Sequence, residues 1–379
     1  MIYLDHAATS MPKPPEVGQA MVEALNLGNA GRGAHGPALA GLRTAYQVRC
    51  RVAEFFGVPG GPQQVVFTAG ATHALNQAIV GLLSPGDHVV TTAAEHNSVL
   101  RPLYQLEQQG VELSIVPVDR QGRISYEDME QMVTPRTKAV VCTHASNVTG
   151  NVTDLKRISR LCKQNGALLV VDGAQSGGHL PLSMEQMGID VLCLPGHKGL
   201  LGPQGIGLLC LRPGVELRPL LVGGSGILSF SHTHPSALPD GLEAGTRNNP
   251  GIAGLGAGLE WLQTQGVERL WAQTEQRLRQ LYEGLHAIPG VTIYGDWSTF
   301  HRAPVLAMNL DGWEAAQLSD VLYEEFDIAT RPGAHCAPLM HLALGTGEAG
   351  AVRMSVGCST TSEDVEAAIA AVAQLAKEE

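Results

Sequence analysis

The chain has 379 residues, of which 44% are hydrophobic and 16% are charged, a composition that supports folded cores and excludes a mainly disordered protein. Its formal net charge of -11 argues against a surface for nucleic acid or anionic membranes, which select basic patches. Because it also shows no apolar run as long as a membrane span and no signal-peptide pattern at the N-terminus, we expect a cytoplasmic protein that acts on a small molecule or another protein.

The first two thirds of the chain alternate β-rich apolar runs with helix-periodic segments. A helix is predicted after the prolines at 14–15, and a longer one from about Ala38 to Phe56. Strands are predicted at "QVVFT", "HVVTT", "VELSIV", "KAVVCT", "ALLVVD", "DVLCL" and "GIGLLCL". Since helical segments separate most of these runs, the pattern predicts an α/β domain with a mainly parallel sheet.

Near residue 260 the pattern changes to longer helices, with strands predicted at "VTIYG", "VLAMNL" and "VRMSVGC". We therefore predict an N-terminal segment 1–15 that packs with the small domain, a large domain 16–260 and a small C-terminal domain 261–379. Ligands of parallel sheets bind at the carboxyl ends of the strands. The polar residues that follow each strand are therefore the candidates for a site.

Three of these positions carry chemistry of their own. Ala71 and Thr72 open a helix and offer N–H groups and a hydroxyl to a phosphate, although a plain helix cap explains them as well. Asp172 ends a run typical of a buried strand, where a carboxylate is costly unless it meets a cation or a donor. Lys198 lies in the turn "LPGHKGLLGPQG" between two predicted strands. A lysine presented in this way suits a Schiff base with a carbonyl cofactor, whereas a lone loop lysine is more often a solvated charge.

The stretch "GHKGLLGPQGIG" resembles the lysine loop of the class V aminotransferase family, enzymes that use pyridoxal 5'-phosphate (PLP), and within it the cysteine desulfurases and selenocysteine lyases. The similarity extends from "IYLDHAATS" at residues 2–10 to "VRMSVGCSTTSEDV" at 352–365. It implies PLP-dependent transferase fold type I, with a mainly parallel sheet of the seven-stranded type in the large domain and a smaller α+β C-terminal domain. It also implies a homodimer with shared sites.

The resemblance assigns roles around the cofactor. It implies that Lys198 forms the Schiff base and that His96, in "EHNSVL", stacks on the pyridine ring and helps to move a proton. Asp172 is expected to keep the ring nitrogen protonated, which makes the ring an electron sink. Asn147 and Gln175 resemble the residues near the phenolic oxygen.

The phosphate is expected at the helix start described above. The residues implied around it are Ala71, Thr72, His197 and, from the neighbouring subunit, Gly245 and Thr246. The family usually has a serine two residues before His197, and this chain has Pro195 instead. One phosphate-binding hydroxyl is therefore expected to be missing.

The seven cysteines include no C-x-x-C pair, which suits reduced thiols better than disulfides or a zinc site. Cys336 lies in a Gly- and Pro-containing loop between His335 and Ala337, where we expect it to be exposed and partly ionised by neighbouring positive charge such as that of Arg331. Small buried hydrophobes are the better interpretation of the cysteines inside apolar runs, namely Cys142, Cys162, Cys193 and Cys210.

The loop "RPGAHCAP" resembles the short catalytic loop of group II cysteine desulfurases, with Ala334 where a histidine is common. The resemblance implies that the Cys336 thiolate attacks the substrate sulfur and becomes a persulfide. It also implies that Arg353 binds the substrate carboxylate, a task that suits a bidentate guanidinium. The other residues expected on the substrate side are Asn147, Arg331, Arg32 and His35.

We therefore predict a PLP-dependent cysteine desulfurase that converts L-cysteine to L-alanine and passes sulfur from Cys336 to an acceptor protein. One alternative is a selenocysteine lyase acting on L-selenocysteine, which would need the thiol less. A second is another class V aminotransferase or lyase with Cys336 passive. A third, a non-catalytic scaffold or sulfur-carrier partner, is disfavoured by the intact set of catalytic side chains.

Two further features bear on these alternatives. His232 and His234 alternate as on a strand, but two histidines do not make a metal shell, and we predict no metal site. The segment 223–240 looks short for the family. The sequence does not specify how this segment affects access to Cys336.

Overall fold

The structure is a computed structural model that describes residues 1–29 and 33–377. Arg32, predicted on the substrate side, lies outside the described residues. The helices are α1 (Pro15–Ala24), α2 (Gly36–Phe55), α3 (Ala71–Leu82), α4 (Asn97–Glu107), α5 (Tyr126–Met132), α6 (Leu155–Asn165), α7 (Met184–Met187), α8 (Asn249–Gln265), α9 (Val267–His286), α10 (Ala315–Phe326), α11 (Pro338–Leu344) and α12 (Ser362–Leu375).

The strands fall into one large and two small sheets. They are β1 (Ile2–Tyr3), β2 (Val65–Thr68), β3 (His88–Thr92), β4 (Glu112–Val116), β5 (Thr137–Thr143), β6 (Leu168–Asp172), β7 (Val191–Pro195), β8 (Gly207–Leu211), β9 (Val291–Tyr294), β10 (Val305–Leu310), β11 (Ile328–Ala329) and β12 (Val352–Ser355).

The large sheet has seven strands in the order β2-β8-β7-β6-β5-β3-β4. Only β8 runs antiparallel to its neighbours, β2 and β7, among the described strands of this sheet. Successive residues of β5 alternate between the two faces, with Val140 in the core on one side and Val141 in the core on the other, as the period of two in a strand requires. The predicted α/β fold with a mainly parallel seven-stranded sheet is confirmed.

Helix α6 illustrates why the intervening segments are helical. The Asp154 carboxylate accepts the Arg157 N–H at the start of the helix, and Gly166 adopts a left-handed conformation at its end. Between these caps, Leu155, Ile158 and Cys162 are buried at helical spacing. Its apolar stripe packs into the core on one face of the sheet.

The C-terminal part has its own core around the antiparallel sheet β12-β10-β9. Strand β1 pairs with β11, and the neighbouring Leu4 is buried in this same core. The domain boundaries stay a prediction. Helix α8 packs into the large core and most buried residues of α9 into the small one, so the packing favours a change at Gly266, a few residues after the predicted one.

Between residues 212 and 239 the backbone forms turns and bends, and the segment exposes several large apolar side chains. In the part of the chain that the structure describes, no helix combines the length and apolar character needed to cross a membrane. Nor does that part contain a group of three or more His, Cys, Asp or Glu side chains that could hold a metal ion.

Candidate active site

A cavity of about 670 Å³ opens at the carboxyl ends of the central strands of the large sheet, where parallel sheets bind ligands. Lys198 follows β7, Asp172 ends β6 and His96 follows β3. Eight of the predicted cofactor residues line this one cavity: Ala71, Thr72, His96, Asn147, Asp172, Gln175, His197 and Lys198.

The N-terminal segment holds the turn that carries Lys198. The carbonyl of His197 accepts hydrogen bonds from the Ser10 N–H at 3.1 Å, the Thr9 hydroxyl at 3.1 Å and the Lys13 ammonium at 2.6 Å. The Ser10 hydroxyl also donates to the Lys198 carbonyl at 2.9 Å. Because these contacts converge on two adjacent carbonyls, the backbone of Lys198 is fixed although its side chain faces an open cavity.

Lys198 loses its proton more readily than an ordinary lysine. Its side chain keeps some exposure to the cavity, but the surrounding protein desolvates the ammonium. Burial lowers the pKa of Lys198 from 10.5 to about 8, with the positive charge of Arg353 adding to the effect and Asp172 opposing it. A neutral amine is the form that reacts with a carbonyl group.

Asp172 is buried at the end of β6, with one carboxylate oxygen accepting the Ala174 N–H at 2.9 Å. Burial raises the pKa of Asp172, while that N–H and the charge of Lys198 oppose the shift. A buried carboxylate with so few partners calls for a cation or donor in the cavity. A protonated ring nitrogen would meet this need.

His96 caps α4 and is fixed in one tautomer. Its Nδ1 accepts the Ser98 N–H at 3.0 Å and lies 2.8 Å from the Ser98 hydroxyl. Burial lowers the pKa of His96 to about 4, and the charge of Lys198 adds to this shift. Since Nδ1 is an acceptor, the neutral ring carries its proton on Nε2.

The start of α3 fits a phosphate group. Gly70 occupies the cap position and provides no side-chain cap, so the first N–H groups of this 12-residue helix are available to an anion. Ala71, Thr72 and His197 line the cavity at this end, and the His197 Nδ1 lies 3.1 Å from the Thr9 hydroxyl. Pro195 also lines the cavity and has neither a hydroxyl nor an N–H to offer.

Cys336 does not line this cavity but lies on a loop bonded to its wall. The Asn97 N–H, next to His96, donates to the Cys336 carbonyl at 2.7 Å. The Asn147 side-chain amide donates to the His335 carbonyl at 2.8 Å. His335 and Cys336 have φ angles of 50° and 57°, a left-handed conformation that costs free energy in non-glycine residues. Of the seven cysteines, all within the described residues, only Cys336 is exposed.

Arg353 is buried beside this loop. Its side chain is only 1% exposed and pairs with Asp5 at 2.8 Å, and its Nη1 donates to the Asn147 carbonyl at 3.2 Å. Arg331 forms an antiparallel bridge with Arg353 through both backbone N–H groups. The guanidinium, the cavity wall and the cysteine loop therefore form one connected unit.

Three predicted residues lie elsewhere. Gly245 and Thr246 are exposed, and the Gly245 N–H donates to the Gly224 carbonyl at 2.8 Å. The His35 side chain is exposed and caps α2, accepting the Ala38 N–H at 3.4 Å. None of the three lines the cavity.

A larger cleft of about 970 Å³ lies beyond Thr143, which lines both spaces. It contains none of the residues predicted for the cofactor or the substrate. Two of its carboxylates already have local partners, since Asp119 binds Arg123 and Asp154 caps α6. The smaller cavity is the candidate active site because it gathers the lysine, the buried aspartate and the uncapped helix start.

Sequence reasoning missed the residues that form hydrogen bonds or ion pairs with the candidate site residues and with the residues that support them. They are Asp5, Thr9, Ser10, Lys13, Ser98, His341 and Thr346. The polar side chains among residues 5–13 were the available signal, because they overlap the predicted match to the family at residues 2–10 and lie on a segment expected to pack with the small domain.

Comparison with known proteins identifies the family. A model of the aminotransferase class-V family matches residues 2–368. The chain belongs to this family. Members of this family depend on PLP. The buried carboxylate and the uncapped helix start of this cavity suit the ring nitrogen and the phosphate of that cofactor.

Individual relatives show which members of the family this chain is similar to. A probable cysteine desulfurase of Methanothermobacter thermautotrophicus is 36% identical, over 96% of this chain and 92% of that protein. The apo structure of a cysteine desulfurase from Thermococcus onnurineus has a TM-score of 0.93 at 31% identity, covering 100% of this chain and 95% of the other. A cysteine desulfurase of Escherichia coli has a TM-score of 0.89 at 30% identity, over 100% and 94%. The predicted family and fold type are confirmed, and membership of group II stays a prediction.

Proposed function

We propose that this protein is a PLP-dependent cysteine desulfurase that transfers the sulfur of L-cysteine to Cys336 and releases L-alanine. The observation that carries the proposal is the exposed Cys336, held on a strained loop that is bonded to the wall of the lysine-bearing cavity. The cysteine desulfurases similar to this chain over nearly its full length support it.

We propose that PLP binds with its aldehyde end at Lys198, its ring nitrogen at Asp172 and its phosphate at the start of α3. When bound, PLP supplies an electron sink for charge that develops at the α-carbon of an amino acid. The uncapped helix start and the buried, sparsely bonded carboxylate support this orientation. His96, Asn147, Gln175 and His197 complete the proposed set.

We propose Lys198 as the group that moves the α-proton. Its pKa of about 8 leaves a useful fraction of neutral amine near pH 7 to 8. His96 is a poor base in this arrangement because the Ser98 N–H occupies Nδ1 and Nε2 carries the proton. Its Nε2–H instead suits hydrogen-bond donation toward the substrate.

The proposed sulfur transfer begins with the Cys336 thiolate. Its Sγ forms an S–S bond with the substrate sulfur while the carbon–sulfur bond of the substrate breaks, and the electron pair of that bond stays with carbon. Protonation of the carbon gives L-alanine, and the enzyme keeps a persulfide on Cys336. No external oxidant or reductant is required, because the two electrons that sulfur gives up in forming the S–S bond stay with the carbon, where a C–S bond is replaced by a C–H bond.

We propose that Arg353 binds the substrate carboxylate, with Arg331 and Asn147 nearby. Asp5 and the Asn147 carbonyl each use one N–H of the Arg353 terminal nitrogens. Each of these nitrogens carries a second N–H, which is what bidentate binding of a carboxylate requires. Arg32 and His35 stay proposals for the substrate side, and in this structure His35 caps α2.

We propose a homodimer in which Gly245 and Thr246 reach the phosphate of the neighbouring subunit. Neither residue lines its own cavity, and Gly245 is bonded to a segment that exposes several large apolar side chains. Exposed apolar side chains gathered in one segment support an interface there. These side chains are Leu221, Val222, Ile227, Leu228 and Phe230.

We further propose that the persulfide passes to an acceptor protein, which the exposure of Cys336 permits. A cytoplasmic location is supported by the seven cysteines, all of which are free thiols.

The proposed activity is tested by alanine release from L-cysteine with dithiothreitol as sulfur acceptor. The wild type should turn over, Cys336→Ala should not, and Cys358→Ala should behave as the wild type because Cys358 is partly buried elsewhere. Bound PLP, measured by absorbance, should be equal in all three proteins. Alanine from L-selenocysteine but not from L-cysteine would replace the proposal with a selenocysteine lyase.

A further inference from the structure

A chain of hydrogen bonds runs from Thr346 to the loop that carries Cys336. The Thr346 hydroxyl lies 2.7 Å from His341 Nδ1, and His341 Nε2 lies 3.2 Å from His335 Nδ1. His335 Nε2 lies 2.9 Å from the carbonyl of Arg331. Both imidazoles are buried, with 3% exposure for His335 and 1% for His341.

The carbonyl at the end of the chain sets the direction of every bond. A carbonyl only accepts, so His335 carries a proton on Nε2, and its Nδ1 is then an acceptor if the ring is neutral. His341 must therefore donate from Nε2, which leaves its own Nδ1 to accept from the Thr346 hydroxyl. The same hydroxyl also lies 3.2 Å from the His341 carbonyl, but the 2.7 Å contact with Nδ1 is the shorter of the two. Neutral rings are expected here, because burial lowers the pKa of His335 to about 3 and of His341 to about 4.

The Arg331 carbonyl links this chain of hydrogen bonds to Arg353, the proposed substrate-binding residue. It accepts the Arg353 N–H at 2.8 Å as well as the His335 ring, which uses both of its lone pairs. The chain therefore ties the cysteine loop to the strand that carries Arg353.

The loop needs such support because its conformation is unfavourable by itself. His335 and Cys336 are consecutive non-glycine residues with positive φ, and such strain persists only where surrounding contacts over-determine the backbone. The Asn147 and Asn97 bonds hold the backbone of these two residues from the cavity side. The histidine chain holds the His335 side chain through its contacts with His341 and with the Arg331 carbonyl.

We propose that His341 and Thr346 are positioning residues that, through the His335 ring, hold the Cys336 loop in its strained conformation. The inference deepens the proposed function by naming what fixes the nucleophile relative to Arg353. It concerns the geometry of the loop and not the identity of the substrate.

The decisive comparison is Thr346→Val against Thr346→Ser in the PLP-loaded protein. Valine has nearly the shape of threonine without the donor, whereas serine keeps it. Amide hydrogen exchange across residues 331–341, followed by mass spectrometry, should be about tenfold faster in the valine variant, the factor expected for one lost hydrogen bond, and unchanged in the serine variant. Thr264→Val, on the exposed surface of α8, is the matched control.

Equal exchange in the valine variant and the wild type would overturn the inference. So would faster exchange spread evenly over peptides far from the loop, since that would be a loss of overall stability. If alanine is formed from L-cysteine, its first-order rate in a single turnover should also fall about tenfold in the valine variant, with the KM for L-cysteine little changed and serine restoring the rate.

The wild-type protein provides a second test that needs no variant to fold. Nitrogen-15 chemical shifts of labelled histidines should place both His335 and His341 in the neutral form with the proton on Nε2 between pH 5 and 8. An imidazolium, or a proton on Nδ1 of either ring, would contradict the chain. Because exchange and chemical shifts are read without turnover, failure of this inference and failure of the desulfurase proposal give different results.

Discussion

The side-chain amide of Asn147 donates to the backbone carbonyl of His335 across 2.8 Å. The backbone carbonyl of Asn147 in turn accepts from Arg353 Nη1 at 3.2 Å. One residue of the cavity wall therefore contacts both the loop of the proposed nucleophile and the proposed substrate arginine. Through Asn147, the Cys336 loop and Arg353 are therefore linked to the cavity wall, although these elements belong to different parts of the fold.

The first prediction concerns Asn147. Asn147→Ala should lower kcat for alanine release from L-cysteine by about tenfold or more, because the strained Cys336 loop loses one of its bonds. Bound PLP should be largely retained. Asn165→Ala, at the end of α6, removes an amide that bonds only locally to Leu161 and should leave kcat unchanged. An unaltered kcat in Asn147→Ala would refute the coupling.

The second prediction concerns the ion pair between Asp5 and Arg353. Asp5→Ala leaves a guanidinium that is only 1% exposed without its anion, and should lower the free energy of unfolding by about 3 kcal/mol. Chemical denaturation measures this change. Glu112→Ala removes an exposed pair with Arg136 and should cost less than about 1 kcal/mol. Equal losses of unfolding free energy in the two variants would show that the buried pair stabilises the fold no more than the exposed pair does.

The third prediction follows from the low pKa of Lys198. In the apoprotein this amine is mostly protonated below pH 8 and mostly neutral above it. Trapping of pyridoxal on Lys198 by borohydride should therefore increase between pH 7 and 9 and level off, while exposed lysines continue to gain reactivity toward pH 10. Peptide mapping separates the sites. A Lys198 profile that follows the exposed lysines would contradict the assigned environment.

The fourth prediction concerns Glu95, which is fully buried beside His96. Its Oε1 accepts the Thr92 hydroxyl at 2.6 Å and the Thr143 N–H at 3.0 Å, and its Oε2 has no partner in the described residues. Burial raises the pKa of Glu95 from 4.5 to about 8. The folded state therefore binds more protons than the unfolded state between these values, and the carboxyl's contribution to stability is lost as pH rises toward 8.

Glu95→Gln should remove that dependence. Relative to the wild type, the variant should gain stability as pH rises from 5 to 8, because an amide cannot ionise. Unfolding of the apoprotein measured at several pH values tests this, with Glu54→Gln on the exposed side of α2 as the control. A stability difference between variant and wild type that is constant with pH would contradict it.

The strand ends explain how much of the site the sequence could predict. Asp172, His96 and Lys198 each follow an apolar run whose identity as a strand depends only on local pattern, and parallel strands bring their carboxyl ends together. The lysine turn between β7 and β8 was predictable for the same reason. Their contacts and roles still depended on resemblance, because a local pattern does not specify which side chains meet.

The supporting contacts could not be predicted from the sequence because they join residues that are far apart along the chain. Asp5 and Arg353 are 348 positions apart, and the donors to the His197 carbonyl come from the first 13 residues. Short helices such as α5 and α11 were missed because seven residues give too little periodicity to distinguish a helix from a loop. His341 lies on α11, so the histidine chain could not be foreseen.

The most direct test of the account is to locate the sulfur after a single turnover. PLP-loaded protein is mixed with substoichiometric L-cysteine labelled with heavy sulfur, the remaining thiols are blocked, and peptides are mapped by mass spectrometry. The account predicts one labelled sulfur on the peptide that contains Cys336, in an amount equal to the L-alanine formed. Labelled sulfur on Cys358 or another cysteine, or alanine formed with no sulfur on Cys336, would contradict it.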